Sequence, residues 1–331
     1  MRHRFFASFR PLTPSIAVLC FAASVFAVSA SGQVAWAPAL TPDGQPDLQG
    51  VWTNPTITPF ERPAELASQQ FLTEQEADEL EARAILNNVD RPPPPGNPGT
   101  YNRFWFDSGI DVVSTLQTSL VVDPPDGRVP LRSEAIEQRA YDLEHIGDSW
   151  VHMSPWDRCI TRGVPGGMFP AGYNNAYQIV QIPGHIVILH EMIHETRIIP
   201  VDDSAHLPSN VRQWNGDSRG RWEGNTLVVD TTNFNGKGWI ATNGASGRIR
   251  GIPQSEALHL VERFTRVSED TILYQVTIED PNVYSAPWTV AIPLNNDPGY
   301  QIYEYACQEG NLAVGNILSG GRARDRAGAN D

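Results

Sequence analysis

The 331 residues carry 38 acidic and 24 basic side chains, a net charge of −14, which argues against nucleic acid and anionic membrane surfaces as partners. With 40% hydrophobic residues the chain can bury one large core or two intimate ones. Lys237 is the only lysine and is flanked by glycines, so Schiff-base chemistry is a poor reading.

The N-terminus reads as an export signal. Arg2, Arg4 and Arg10 precede an apolar stretch from Ile16 to Val28, and small residues follow at Ser29-Ala30-Ser31-Gly32. The stretch is short for a membrane span, so residues 1–32 are expected to be a signal peptide and the mature chain to have no span. Its removal takes away three arginines and no acid, leaving 21 basic against 38 acidic side chains, a net of −17. It also removes Cys20, leaving Cys159 and Cys307. An oxidising compartment, periplasm or medium, and an even count predict a disulfide between them.

Residues 33–117 read as a Pro-rich arm with one short strand at Trp52 and one helix. Thr73-Glu-Gln-Glu76 is a capping box that opens this helix, which runs to about Asn87. Arg91-Pro-Pro-Pro-Pro-Gly-Asn-Pro98 follows as a polyproline connector. Residues 118–320 read as a β-rich core. A hairpin is expected from Thr118–Val122 and Arg128–Leu131, then a helix from a cap at Ser133 to about Ile146. Strands are expected at Ala176–Ile182, His185–Ile199, Thr226–Thr232, Leu258–Arg266, Thr271–Glu279, Trp288–Pro293 and Gln301–Cys307, with turns between them. No convincing helix separates these strands. The predicted fold is therefore mainly β, an antiparallel meander forming a barrel or strongly coiled sheet, with an N-terminal extended arm and two helices. Residues 321–331 read as a frayed polar tail.

His190-Glu191-Met192-Ile193-His194 matches H-E-x-x-H. On a helix, His190 and His194 would lie on one face and share a zinc ion, with Glu191 as base and His206 or Glu223 nearby as a third ligand. On a strand they would lie roughly 13 Å apart, too far to chelate. The β-branched flanks, opened by Pro183-Gly184 and closed by Pro200, favour the strand. There His190, Met192 and His194 share one face, and Glu191 shares the other with Arg197.

Other candidates are Trp222 and Glu223 in the Gly-rich segment 217–224, as a ring platform and an acid or base, against a plain tight hairpin. His259 is an acid/base candidate on a strand whose opposite face carries Glu262. Tyr173 and Asn174 are candidates for a pocket lip near Arg158-Cys159. No dinucleotide fingerprint, phosphate loop or paired-cysteine cluster is present.

Asp47-Leu-Gln-Gly-Val-Trp52, Ser119-Leu-Val-Val-Asp-Pro-Pro-Asp-Gly-Arg128, Gly216-Asp-Ser-Arg-Gly-Arg-Trp-Glu-Gly-Asn-Thr-Leu-Val-Val-Asp230, Leu258-His-Leu-Val-Glu-Arg-Phe264 and Tyr303-Glu-Tyr-Ala-Cys-Gln-Glu-Gly-Asn311 resemble phrases of a family of secreted bacterial proteins. The resemblance spans nearly the whole mature chain. It implies an exported, β-rich protein and carries over no catalytic residue.

Three functions remain open. The leading expectation is an exported, cofactor-independent isomerase, lyase or hydrolase acting on a small, aromatic or polycyclic molecule. Glu191, His194, His206 and His259 would be its acid/base groups, and Arg197, Trp222, Tyr173 and Asn174 would bind substrate. The alternatives are a zinc hydrolase using His190, His194 and His206, and a non-catalytic carrier of the same ligand. Oligomeric state has no signature in the chain.

Overall fold

The computed structural model describes residues 36–92, 95, 103–241 and 249–328. The expected signal peptide and most of the polyproline connector lie outside them.

Ten antiparallel strands form one sheet that nearly closes into a barrel. They are β1 (Gly50–Thr53), β2 (Val121–Asp123), β3 (Ala176–Ile182), β4 (His185–His190), β5 (Thr196–Pro200), β6 (Asp217–Glu223), β7 (Thr226–Thr232), β8 (His259–Arg266), β9 (Thr271–Glu279) and β10 (Trp288–Asn296). The path runs β5-β4-β3-β1-β10-β9-β8-β7-β6, with β2 added on β10. Most neighbours are consecutive hairpins. The exceptions are β2, added on β10, and β1, which the N-terminal arm inserts between β3 and β10. Trp52 anchors it, wholly buried, with its indole N–H donating to the Leu48 carbonyl at 2.9 Å. Truncating so large a core side chain costs roughly 3–5 kcal/mol.

Alternation fills the barrel. Leu260, Glu262 and Phe264 of β8 and Ile272, Tyr274, Val276 and Ile278 of β9 are buried at every second position. The two ends of the sheet path meet across β5 and β6. A Cβ on Gly220 would lie 3.2 Å from the Ile199 side chain, so a side chain there would crowd this approach. Arg197 crosses the same gap. Its guanidinium donates to Ser218 at 2.9 Å, to Thr231 at 3.0 Å and to both oxygens of Glu262, one at 2.9 Å. The Tyr274 hydroxyl donates to Glu262 at 3.1 Å, completing a polar network inside an otherwise apolar barrel.

Among the described residues three α-helices lie outside the sheet: α1 (Glu74–Asn87), α2 (Ser133–Glu144) and α3 (Ala313–Gly328). The capping box forms as expected, with Thr73 and Glu76 exchanging side-chain and backbone bonds. Ser133 is inside α2, whose N-cap is Arg132 without a side-chain cap bond. Where the sequence predicts a frayed tail from 321, the chain continues α3 to Gly328. Gly321 is buried against Gly147, where a Cβ would come within 2.2 Å of the Gly147 carbonyl oxygen.

Other expectations change too. The hairpin of 118–131 is replaced by β2 pairing with β10, while Leu131 bridges to Tyr284. Residues 217–223 add a strand, β6, that pairs with β7 as the plain tight hairpin weighed for this segment, with its turn at Gly224, where φ is 58°. Residues 301–307 form no strand. The single strand expected over 185–199 is two strands, β4 and β5, joined by a 3₁₀ turn at Met192–His194. Ile193 (φ 63°) and His194 (φ 42°) occupy the left-handed region there, which reverses the chain and cancels the face assignments of an unbroken strand. Among the described residues no helix is long and apolar enough to cross a membrane.

Candidate functional site

Glu191 stands at the tip of the β4–β5 hairpin. The tip is closed by the His190 N–H donating to the Glu195 carbonyl at 2.8 Å and the His194 N–H donating to the Glu191 carbonyl at 3.0 Å. A β-branched residue with positive φ in this tip is the kind of local strain that collects at functional sites. The Glu191 N–H donates to the Ala176 carbonyl, fixing the residue over the start of β3. Its side chain is buried, with the residue 1% exposed, and accepts from two side chains. Asn174 donates at 2.6 Å, and the Tyr300 hydroxyl lies 3.0 and 2.8 Å from the two carboxylate oxygens.

Around this carboxylate lies a cleft of about 690 Å³ built from three stretches of chain. Phe104, Trp105, Phe106 and Asp107 come from the N-terminal arm, Tyr173 and Asn174 from the approach to β3, and Tyr300, Tyr303 and Tyr305 from the segment after β10. Asn175 ties the first stretch down, donating to the Asp107 carbonyl at 2.6 Å, while the Asp107 N–H donates to the Gly172 carbonyl at 2.7 Å. The third stretch is clipped by the Cys159–Cys307 disulfide and by His194, whose Nδ1 bonds the Tyr305 carbonyl at 2.9 Å. Tyr173 and Tyr305 stack with centroids 6.1 Å apart.

The cleft perturbs its acids. Burial raises Glu191 above the ordinary carboxylate range. The Tyr300 and Asn174 hydrogen bonds oppose that rise, and the charge of Asp107 adds to it. Desolvation also raises Asp107, against a hydrogen bond from Asn175 that lowers it, although the residue as a whole is exposed. Tyr300 is pushed up by burial, then by its bond to Glu191 and that group's charge, so its hydroxyl stays protonated as the donor.

Of the residues singled out from sequence, Glu191, Tyr173 and Asn174 converge here, and exposed His194 braces the wall from outside. The others lie elsewhere. Arg197 is sealed inside the barrel, so its expected place beside Glu191 is wrong for this fold. His206 and His259 share Asp230 on the outer face of the sheet, at 3.0 and 2.9 Å, with Asp217 on the far side of His206 at 2.9 Å. Trp222 packs against the core from a separate depression, and Glu223 pairs with Arg221 and Arg263.

The helix that a zinc site at 190–194 requires is absent. His190 is buried beneath Gly167 with its ring edge-on to Tyr177, and burial, chiefly, holds its pKa down to about 3. With His194 on the Tyr305 carbonyl and His206 on two aspartates, the three imidazoles have separate partners. Asp107, Tyr300 and the aromatic walls other than Tyr173 were not picked out from sequence. The signal for them was the Phe104-Trp105-Phe106-Asp107 run, in which Phe104 and Trp105 are 83% and 61% exposed.

No family model, curated protein or solved structure matches this chain.

Proposed function

We propose that this protein is an exported enzyme that moves a proton on a small apolar or aromatic molecule held in the cleft, an isomerase, lyase or hydrolase working through Tyr300 and Glu191. The observation that carries the reading is the Tyr300–Glu191 pair: a desolvated carboxylate accepting the proton of a hydroxyl that itself lines an aromatic cleft. As a substrate proton reaches the Tyr300 oxygen, the phenolic proton passes to Glu191. The reverse transfer returns a proton to product. The phenol so never carries a full charge, and Glu191, its pKa raised by burial, is a stronger base toward that proton than an exposed carboxylate. This chemistry calls for no organic cofactor. The disulfide and the resemblance to a secreted family support export, with cleavage after Ala30 or Gly32.

A second reading, a carrier that binds the same ligand without turning it over, draws on the mostly aromatic walls and on a lining that, among the described residues, includes no histidine. Solvent exchange separates the two. Aromatic and polycyclic compounds that raise the melting temperature of the purified protein are incubated with it in D2O and examined by mass spectrometry. The enzyme puts deuterium into one of them, and Tyr300→Phe and Glu191→Gln each slow this at least 100-fold while the compound still raises the melting temperature. Ligands that bind with no exchange above the buffer rate would leave the carrier.

A further inference from the structure

We infer that the cleft selects organic cations, ammonium groups bearing alkyl or aryl substituents, and excludes anions. This rests on the proposed occupancy of the cleft and names the class of molecule that occupies it.

Charge is the first argument. Among the residues lining the cleft, Glu191 and Asp107 are acids and none is Lys, Arg or His. The charge that acts on Glu191 is that of Asp107, a like charge whose repulsion a bound cation would relieve. Arg162 is buried behind this wall, over the Trp156 ring at 5.9 Å, and does not line the cleft. An anionic ligand would meet two carboxylates with no counterion, and a neutral one would leave them uncompensated.

The walls are the second argument. Aromatic rings attract cations through the negative potential of their faces, most strongly where water is excluded. Here Phe104, Trp105, Tyr173, Tyr303 and Tyr305 reach the cleft from three stretches of chain, so rings surround the space on several sides. Trp105 and Tyr303 are 61% and 64% exposed, a loss of apolar burial that a ligand would recover. A volume of about 690 Å³ suits a substituted ammonium and leaves much room around a bare metal ion or ammonium ion. The chain as a whole carries −14, a field that draws cations toward it.

The test is titration calorimetry with three probes of one shape: benzyltrimethylammonium, its neutral isostere neopentylbenzene, and the anion phenylmethanesulfonate. The cation is expected to bind at least tenfold more tightly than the neutral probe, and the sulfonate not to bind. Asp107→Asn, at an exposed residue, should weaken the cation several-fold and leave the neutral probe unchanged, with the fold checked by circular dichroism; Glu191→Gln should act in the same direction. Equal binding of cation and neutral probe, or tighter binding of the sulfonate, overturns the cation class while leaving an occupied cleft. No binding by any of the three overturns both this inference and the occupancy beneath it.

Discussion

Tyr300 and Glu191, 109 residues apart in sequence, meet through a hydroxyl that lies within 3.0 Å of both carboxylate oxygens. The contact joins the tip of the β4–β5 hairpin to the segment that follows β10. It makes the acid of the hairpin and the phenol of the C-terminal region one proton-handling unit.

The raised pKa of Glu191 makes its ionisation unfavourable to folding. The folded value lies above the unfolded one, so the native state binds more protons between the two, and stability falls as pH rises through that window. Urea midpoints from pH 4 to pH 7 should therefore fall in the wild type relative to Glu191→Gln, which keeps the hydrogen bonds without the charge. Parallel midpoint curves for the two proteins would rule this out.

His259 has the opposite chemistry and the same direction of pH dependence. Burial disfavours its charged form, but the bonds and charges of Asp230 and Glu279 outweigh that and hold its pKa above the ordinary value. Its contribution is fully present below about pH 6.5, the unfolded reference, and is lost as pH rises through the folded pKa. Asp230→Asn should lower the His259 pKa in an NMR titration and flatten the difference in melting temperature between pH 5.5 and pH 8.5. A His259 titration unchanged by that substitution would contradict the pairing.

The disulfide holds the cleft wall as well as the fold. It closes a separation of 148 residues, for which loop entropy gives an upper stabilisation of about 5 kcal/mol. Cys159→Ser/Cys307→Ser should lose up to that amount in urea unfolding. It should also weaken cleft ligands, because Tyr300, Tyr303 and Tyr305 lie within seven residues of Cys307. Full retention of affinity in the folded double variant would show that the clip does not shape the site.

Arg197 and Glu262 carry the interior network. Removing one partner leaves a buried charge unmatched, so Arg197→Met alone should destabilise by roughly 3–5 kcal/mol, and Arg197→Met/Glu262→Leu by less. Chemical denaturation of the two singles and the double measures this. A double variant as unstable as the sum of the singles would mean that the two charges are not coupled.

What the sequence revealed depended on how local each feature was. β3, β7 and β9 fall on their predicted bounds, because each is a β-prone run bounded by turn residues, with clean alternation of buried and solvated sides in β9. The same logic misread 301–307, where Tyr303, Tyr305 and Cys307 alternate as in a strand but answer to the cleft and the disulfide. The β4–β5 turn was hidden because Met-Ile-His has none of the glycine or proline that ordinarily marks a reversal; tertiary bonds from Ala176 and Tyr305 hold it. The aromatic walls of the site come from three distant stretches, and no spacing rule brings Trp105, Tyr173 and Tyr303 together. Glu191 was found through a metal motif whose geometry it does not adopt.

The most direct measurement is the carboxyl titration of Glu191 by carbon-13 NMR in the wild type, Tyr300→Phe and Asp107→Asn. The account predicts a wild-type pKa above 4.5, a further rise when the Tyr300 hydrogen bond is removed, and a fall when the Asp107 charge is removed. A Glu191 that titrates at or below 4.5 and does not respond to Tyr300→Phe would contradict the proton-transfer pair.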